Sequence, residues 1–447
     1  MQKISFLFIV LLLSFILACE TGGNKKPKGP KITDTMMETY HPNGSVKSRG
    51  EIKKIKSSII KHGKWIYFYN NSKKQKEGLY TNNKKSGTWS IYFKNGALGQ
   101  KGPFLDDNRH GQWIVFYEGG QKGRQGSYEK GKMTGTWKEY FKSGQLRMES
   151  SYKNNKKHGP LKTYNKNGRL TSSQYYIEGK IGGTKKEYYP NGQLGMITEY
   201  RNGKKNGEQI TYWKTGKLKE KAYYNDNELK GKWSNYYKNG NKKMVGQYIP
   251  VPQSDKASLK KKILGYRTGF WRFYHPNGLV AAKGLFKKNQ MTGVWIKYNA
   301  NGQKNSQGPF SKGSPNGIWT YYSKSGAISK KLTLVGGIAN GTGWLYKNGY
   351  VFFKGKFTGL AHNARKNGIG EELYSNGKVR SRGIYMMNRK NGSFKEYYTN
   401  GALRAIGEYM NNKRNGSWKF YTKDGSKDSE KSGYYMMGRL NKRLSIQ

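Results

Sequence analysis

GTWSIYFKNG, residues Gly87 to Gly96, returns almost letter for letter as GTWKEYFKSG at Gly135 to Gly144. The copies lie 48 residues apart and GQWIVFYEGG, starting at Gly111, stands midway, so the unit is 24 residues long. Carried along the chain, that ruler sets sixteen unit starts, at Thr35, Gly63, Gly87, Gly111, Gly135, Gly159, Gly183, Gly207, Gly231, Gly269, Gly293, Gly317, Gly341, Gly368, Gly392 and Gly416. A fixed period of this length marks a repeat array in which each unit packs on its neighbours alone. The period is interrupted at length by IPVPQSDKASLKKKILGYRT, Ile249 to Thr268, and slips by one residue before Gly349.

Numbered from zero, the unit has four strong columns. Position 5 is aromatic in 15 of 16 units, position 9 is Gly in 14, position 17 is aromatic in 12, and position 2 is Trp in nine. The nine are Trp65, Trp89, Trp113, Trp137, Trp233, Trp271, Trp295, Trp319 and Trp418. Position 15 is often Gly, as at Gly78, Gly102 and Gly126. Between positions 5 and 11 runs a turn written HPNG, YPNG, FKSG or YKNG. Pro42, Pro190 and Pro276 at position 7 suit the first central residue of a type I turn, and the Gly suits a left-handed closing position. A three-residue hairpin loop follows, with position 6 opposite 10 and 5 opposite 11. Strict alternation then puts the odd positions, including the aromatics at 5 and 17, on one face, with Trp at 2 and the aromatic at 6 on the other. A second polar turn, such as YKNNKKHG, closes each unit. The expected fold is all-β: an elongated, twisted, single-layer sheet of about 16 antiparallel hairpins advancing about 150 Å at the usual strand spacing.

Composition agrees with a thin array. Only 34% of the 447 residues are hydrophobic, too few for thick cores, while aromatics supply 14%. Lys and Arg number 84 against 26 Asp and Glu, a formal charge of +58, and the pI is near 10.1. Lysine at edges and turns keeps a long sheet soluble. A surplus this large goes further and favours an anionic polymer, lipid head groups or an acidic protein as partner.

The N-terminus is different text. MQKISFLFIVLLLSFILAC carries Lys3, an apolar run from Ile4 to Ala18 and the sole cysteine, Cys19. The run is short for a membrane span and has the dimensions of a secretory signal. Ile16-Leu17-Ala18-Cys19 resembles the lipobox of bacterial lipoproteins, which implies diacylation of Cys19 and anchoring to a bacterial membrane. An ordinary signal or an uncleaved anchor with an incidental cysteine is the alternative, and either sends the chain across the membrane. The resulting division is a signal peptide at 1–18, a Gly, Pro and Lys-rich tether at 19–34, repeats at 35–439 with the insertion at 249–268, and a tail at 440–447. The expected location is the cell envelope, periplasmic or surface-exposed, which argues against nucleic acid as partner.

The consensus G-x-W-x-x-Y-Y-x-N-G-x-L-x-x-x-x-x-Y-x-N-G-K resembles the bacterial variant of the MORN repeat over essentially the whole chain after the tether. The resemblance implies strings of β-hairpins. It also brings the label antitoxin-like, hence the alternative function of neutralising a toxic partner, and other members are described as membrane-associated or protein-binding scaffolds. Leu161, Lys185 and Gln209 depart from the pattern at position 2 in three consecutive units.

Sites of other chemistry fare poorly. His62, His110 and His158 each precede a unit's Gly, but successive members are two units apart, about 19 Å, too far to share a metal ion. Gly126 to Lys132 imitates a phosphate loop until Met133 replaces the required Ser or Thr, and no helix follows. Glu139, Glu187, Glu372 and Glu396 recur at position 4, and a recurring environment suits lysine partners better than an acid/base pair, which needs two unlike carboxylates. The insertion offers Asp255 as its one acid and neither His nor Cys. The sequence reading is a non-catalytic, lipid-anchored scaffold for a macromolecular partner, with no cofactor, no metal and no small-molecule substrate. The nine tryptophans are its candidate binding or structural aromatics.

Overall fold

A computed structural model describes residues 28–256, 265–441 and 444. The signal segment, Cys19, most of the tether and residues 257–264 of the insertion lie outside the described residues. The chain divides into two compact units, one ending at Lys156 and one beginning at Lys157. Both are antiparallel β-structure in which each strand pairs with the next in sequence.

In the first unit the hairpin Lys84–Tyr92 and Leu98–Leu105 shows how the repeat folds. Phe93 N–H donates to Ala97 O at 2.8 Å and Gly96 N–H to Phe93 O at 2.9 Å, closing a three-residue loop with Gly96 at φ +93°. Tyr92 stands opposite Leu98, as expected for positions 5 and 11. The closing turns alternate with these loops and have two residues. Thr81 pairs with Lys84 across Asn82 and Asn83, both at positive φ, the signature of a type I′ turn. Asn tolerates that region where most side chains do not. Lys31–Ile32, assigned to the tether by composition, form a short strand paired with Met36–Tyr40.

The expected division of faces is corrected. Gly99 is an extra residue on the second strand, because Ile91 pairs with Gln100 while Tyr92 pairs with Leu98. This bulge reverses the alternation beyond it. Position 17 therefore lies with Trp at position 2, not with the aromatic at position 5: Phe104 pairs with Gly87 and Gly102 with Trp89. The same shift recurs in hairpins of both units. One face thus collects the tryptophans of position 2 and the rings of position 17, and that face is the core.

In the second unit the same hairpins run from Gly159 to Asn441. The slip before Gly349 is a shortened loop: Lys347 pairs with Tyr350 across Asn348 and Gly349, both at positive φ. The insertion replaces a closing turn, since Ile249 pairs directly with Tyr266 and the strand register resumes. Its described part holds one helical turn, Gln253–Lys256, and Asp255 accepts from Tyr266 Oη at 3.1 Å.

Candidate binding surface

Three features recur along each unit: a spine of rings, a row of cations above it, and two turn edges lined with lysine.

The spine begins with Gly at position 15. A Cβ built on Gly78 would fall inside the indole of Trp89, one on Gly102 inside that of Trp113, and one on Gly308 inside that of Trp319. Each indole lies flat on the glycine of the preceding repeat, and the absence of a side chain there is what lets it lie. Eight of the nine tryptophans are at most 3% exposed: Trp65, Trp89, Trp113, Trp137, Trp271, Trp295, Trp319 and Trp418. Trp233 is half-buried, and the residue facing it at position 15 is Ala222 in place of Gly. The indole N–H finds a backbone carbonyl, Leu79 O for Trp89 at 3.1 Å and Pro103 O for Trp113 at 2.9 Å, so burial strands no donor.

Between the indoles stand the position-17 rings, edge to face. In the first unit Trp65, Tyr80, Trp89, Phe104, Trp113, Tyr128, Trp137 and Tyr152 form an unbroken zigzag with centroids 5.0–6.4 Å apart. In the second, Trp271 to Trp319 and Tyr385 to Tyr435 form two more. Where Trp is missing at Gly343, Leu332 fills the space from the facing strand, exchanging volume across the row.

A cation caps many of these rings. Lys61 lies 4.5 Å from the Trp65 ring, Arg109 4.2 Å from Trp113, Arg267 5.1 Å from Trp271 and Arg414 4.9 Å from Trp418. The stems cover apolar surface and the charge meets the ring face. The position-4 carboxylates are drawn into the same layer. Glu372 accepts from Arg380 at 2.8 Å, and from Lys390, Ser381 and Tyr385, each at 3.0 Å. Burial alone would raise its pKa, but the Arg380 hydrogen bond and the Lys390 charge bring it down to about 2. One repeat later Glu396 accepts from Tyr409 at 2.6 Å and Arg414 at 3.4 Å. Glu139 pairs with Arg147 at 2.8 Å and Glu187 with Lys185 at 2.8 Å. These are clamps repeated along a face.

Both edges are zipped by side chains. Tyr69 Oη donates to Tyr92 O, Tyr117 to Tyr140 O and Tyr398 to Tyr421 O, each at 2.8 Å, so position 6 ties one loop to the next. His41 and His275 take that place with Nε2 3.1 Å from Phe68 O and Tyr298 O. At the closing turns Asn83 Oδ1 accepts from Lys61 N at 2.7 Å while its own N–H donates to Lys61 O at 2.9 Å. The expectation that the histidines are turn residues is corrected: His62 and His158 lie within the strands Ser58–Phe68 and Lys156–Tyr164 and His110 directly before the strand Gly111–Phe116, and among the described residues no three His, Cys, Asp or Glu side chains gather as a metal would require.

Outside the zippers, lysine repeats. At the hairpin loops Lys94 and Lys142 in the first unit, and Lys166, Lys214, Lys238 and Lys324 in the second, are all exposed and their loops contain no acidic residue. At the closing turns Lys84, Lys132, Lys180, Lys204 and Lys413 are exposed likewise. Two of these face aspartates, Lys84 to Asp106 at 3.9 Å and Lys204 to Asp226 at 3.4 Å. Along either edge such a position recurs every two strands, about 9.5 Å. Sequence reading placed lysine at edges and turns but did not find the burial of the rings, because the bulge that decides it lies at position 12, which has no fixed residue type.

A family model described as MORN repeat variant matches residues 61–82, 133–154, 181–203, 205–226 and 390–411. No curated protein matches the chain. Among solved structures, TcdB2-TccC3-Cdc42 is 12% identical with a TM-score of 0.15, covering 88% of this chain and 22% of that chain. TcdB2-TccC3 without its hypervariable C-terminal region is 12% identical with a TM-score of 0.16, covering 93% and 24%. The Photorhabdus luminescens Tc holotoxin pore is 12% identical with a TM-score of 0.15, covering 92% and 21%. The chain thus spans less than a quarter of the length of these chains, and likeness at that level carries nothing about function. Each of the five family matches falls on one 24-residue repeat of the register, three of which carry Lys185, Gln209 or Phe394 in place of the tryptophan, and these five repeats are similar to the MORN repeat variant.

Proposed function

We propose that this protein is a non-catalytic, lipid-anchored scaffold of the bacterial envelope whose two lysine edges hold an anionic macromolecular partner or surface. The observation that carries the reading is the exposed lysine that recurs at the same two turn positions in several hairpins of each unit, such as Lys94, Lys142, Lys214 and Lys324 at one and Lys84, Lys132, Lys204 and Lys413 at the other. Charges spaced this way offer many equivalent weak contacts and no single pocket, and the large net charge draws polyanions from solution. The aromatic rings serve the fold in this reading, since eight of the tryptophans are out of reach of a partner. Anchoring rests on Ile16 to Cys19. The test is capture of partners from envelope extracts on residues 20–447, the chain without its signal and lipidated cysteine, at about 50 mM and about 500 mM salt. Retention of anionic polymer, lipid or acidic protein at low salt and its release at high salt supports the proposal. A partner set unchanged between the two salts refutes it.

A further inference from the structure

The face of the sheet turned away from the rings has a cleft of its own in the second unit. Lys232 pairs with Gln247 next to the pair of Trp233 and Gly246, and Glu208 pairs with Tyr223 next to the pair of Gln209 and Ala222. Alternation along the strands puts Lys232, Gln247, Glu208 and Tyr223 on the opposite face from the spine. A hollow of about 690 Å³ opens there, within the range of about 300–1,000 Å³ usual for small-ligand sites.

Its walls are aromatic and reach solvent. The Tyr223 and Phe270 rings are each 45% exposed, unlike the buried rings of the spine. They stand on the strands Leu218–Asn225 and Tyr266–Tyr274, three strand steps or about 14 Å apart. Arg272 lies 5.0 Å from the Phe270 ring centroid and steadies it. The floor is low because Gly231 raises no side chain beside Tyr223 and Ser234 only a short one. Glu208, Lys221, Lys232 and Gln247 complete the lining. Among the described residues their side chains make no hydrogen bond and no ion pair. Glu372 and Glu396 on the ring face are spent on the chain's own cations, whereas these four groups are open to a ligand.

We propose that the cleft binds a short acidic oligosaccharide, a chain of sugar rings bearing carboxylates. The flat C–H face of a sugar packs on an aromatic ring, and two exposed rings about 14 Å apart suit the two ends of a trisaccharide. Lys221 and Lys232 donate to carboxylates with the added strength of charge. Glu208 accepts from hydroxyls, and the Gln247 amide both donates and accepts. A bare polyanion offers no hydroxyl to Glu208 and is repelled by it. An apolar ligand would strip water from four polar groups and return no hydrogen bond. Two lysines against one glutamate favour an acidic sugar over a neutral one. The inference goes beyond the scaffold reading, since it needs neither the lysine edges nor the anchor.

The experiment is calorimetric titration of residues 20–447 with trigalacturonate, maltotriose and triglutamate. The cleft predicts one trigalacturonate per chain, with maltotriose and triglutamate each at least about fivefold weaker. Tyr223→Ala with Phe270→Ala removes both walls without touching the core, and weakens binding at least about tenfold. Tyr223→Phe keeps the ring and stays within about twofold of wild type. Lys221→Met with Lys232→Met lowers the affinity for trigalacturonate to that for maltotriose. Absence of trigalacturonate binding, binding untouched by the double alanine variant, or equal binding of maltotriose or triglutamate each overturns the inference. Several equivalent sites per chain overturn it too, since they would move the sugar to the lysine edges and leave the scaffold reading standing.

Discussion

Replacing Gly102 with Ala isolates the spine. Its φ is not in the left-handed region, so alanine fits the backbone and would ordinarily add about 0.4–1 kcal/mol of stability by restricting the unfolded chain. Here the new Cβ sits 2.5 Å from Trp113 Cγ and 2.7 Å from Cδ1. Carbon atoms rest about 3.5–4.0 Å apart, so the indole must retreat by about 1 Å. It is fully buried, its N–H is 2.9 Å from Pro103 O, and its ring centroid is 5.2 Å from that of Phe104, so any retreat loosens both contacts. Overpacking costs about 1–3 kcal/mol and a weakened hydrogen bond about 1 more. Set against the backbone gain, the net loss is about 1–3 kcal/mol, opposite in sign to a glycine with nothing above it. A repeat array need not unfold in one step, so the assay is native-state hydrogen exchange of the amides in Leu98–Leu105 and Gly111–Phe116, which should speed up by about tenfold to a hundredfold. The compensating pair Gly102→Leu with Trp113→Gly, copying Leu332 and Gly343, should recover at least about 1 kcal/mol relative to the sum of the single changes. A neutral or stabilising Gly102→Ala, or strict additivity in the pair, refutes the packing argument.

Other consequences follow from the same contacts. The Glu372 carboxyl titrates near about 2 in the folded chain, below its ordinary 4.5, so its contribution is full above about pH 4.5 and fades as pH falls toward 2. Glu372→Gln should therefore destabilise its hairpin by about 1–3 kcal/mol at pH 7, with the gap to wild type closing over that interval in a pH series of denaturant melts; a gap constant with pH contradicts it. Tyr117→Phe removes the loop-to-loop bond to Tyr140 O and should cost about 0.5–1.5 kcal/mol, confined in hydrogen exchange to the two loops it joins. Cys19→Ser should abolish labelling by a fatty-acid probe in cells, and equal labelling of the variant removes the proposed anchor.

The repeat, its length and its loop chemistry were legible because turns use few residue types: Gly96 and Asn83 declare their backbone angles in the sequence. Pairing of Tyr92 with Leu98 followed from the loop alone. The face of Phe104 did not, because residue 12 of the repeat is Gly99 in one hairpin and Arg147 or Thr171 in others, and a bulge that accepts any side chain leaves no letter to read. That one residue moved the second aromatic column across the sheet. The match between glycine and tryptophan was present in the letters, Gly78 with Trp89 and Gly246 with Trp271, but separated by a turn, so its meaning waited on the pairing. The departures at Lys185 and Gln209 were visible as gaps. Their assembly into one polar row with Thr198 is a property of register.

The central claim is that binding is distributed along lysine edges, and its most direct test is the salt dependence of affinity as repeats are removed. Polyphosphate of fixed length, titrated against residues 20–447 at several salt concentrations, gives a slope of log affinity against log salt that counts the charges engaged. Deleting the complete repeat Gly87–His110, and then Gly135–His158 as well, should lower that slope and the affinity in small, similar steps, with no single repeat indispensable. Salt-insensitive binding, or binding abolished by one deletion and untouched by the other, would contradict the account.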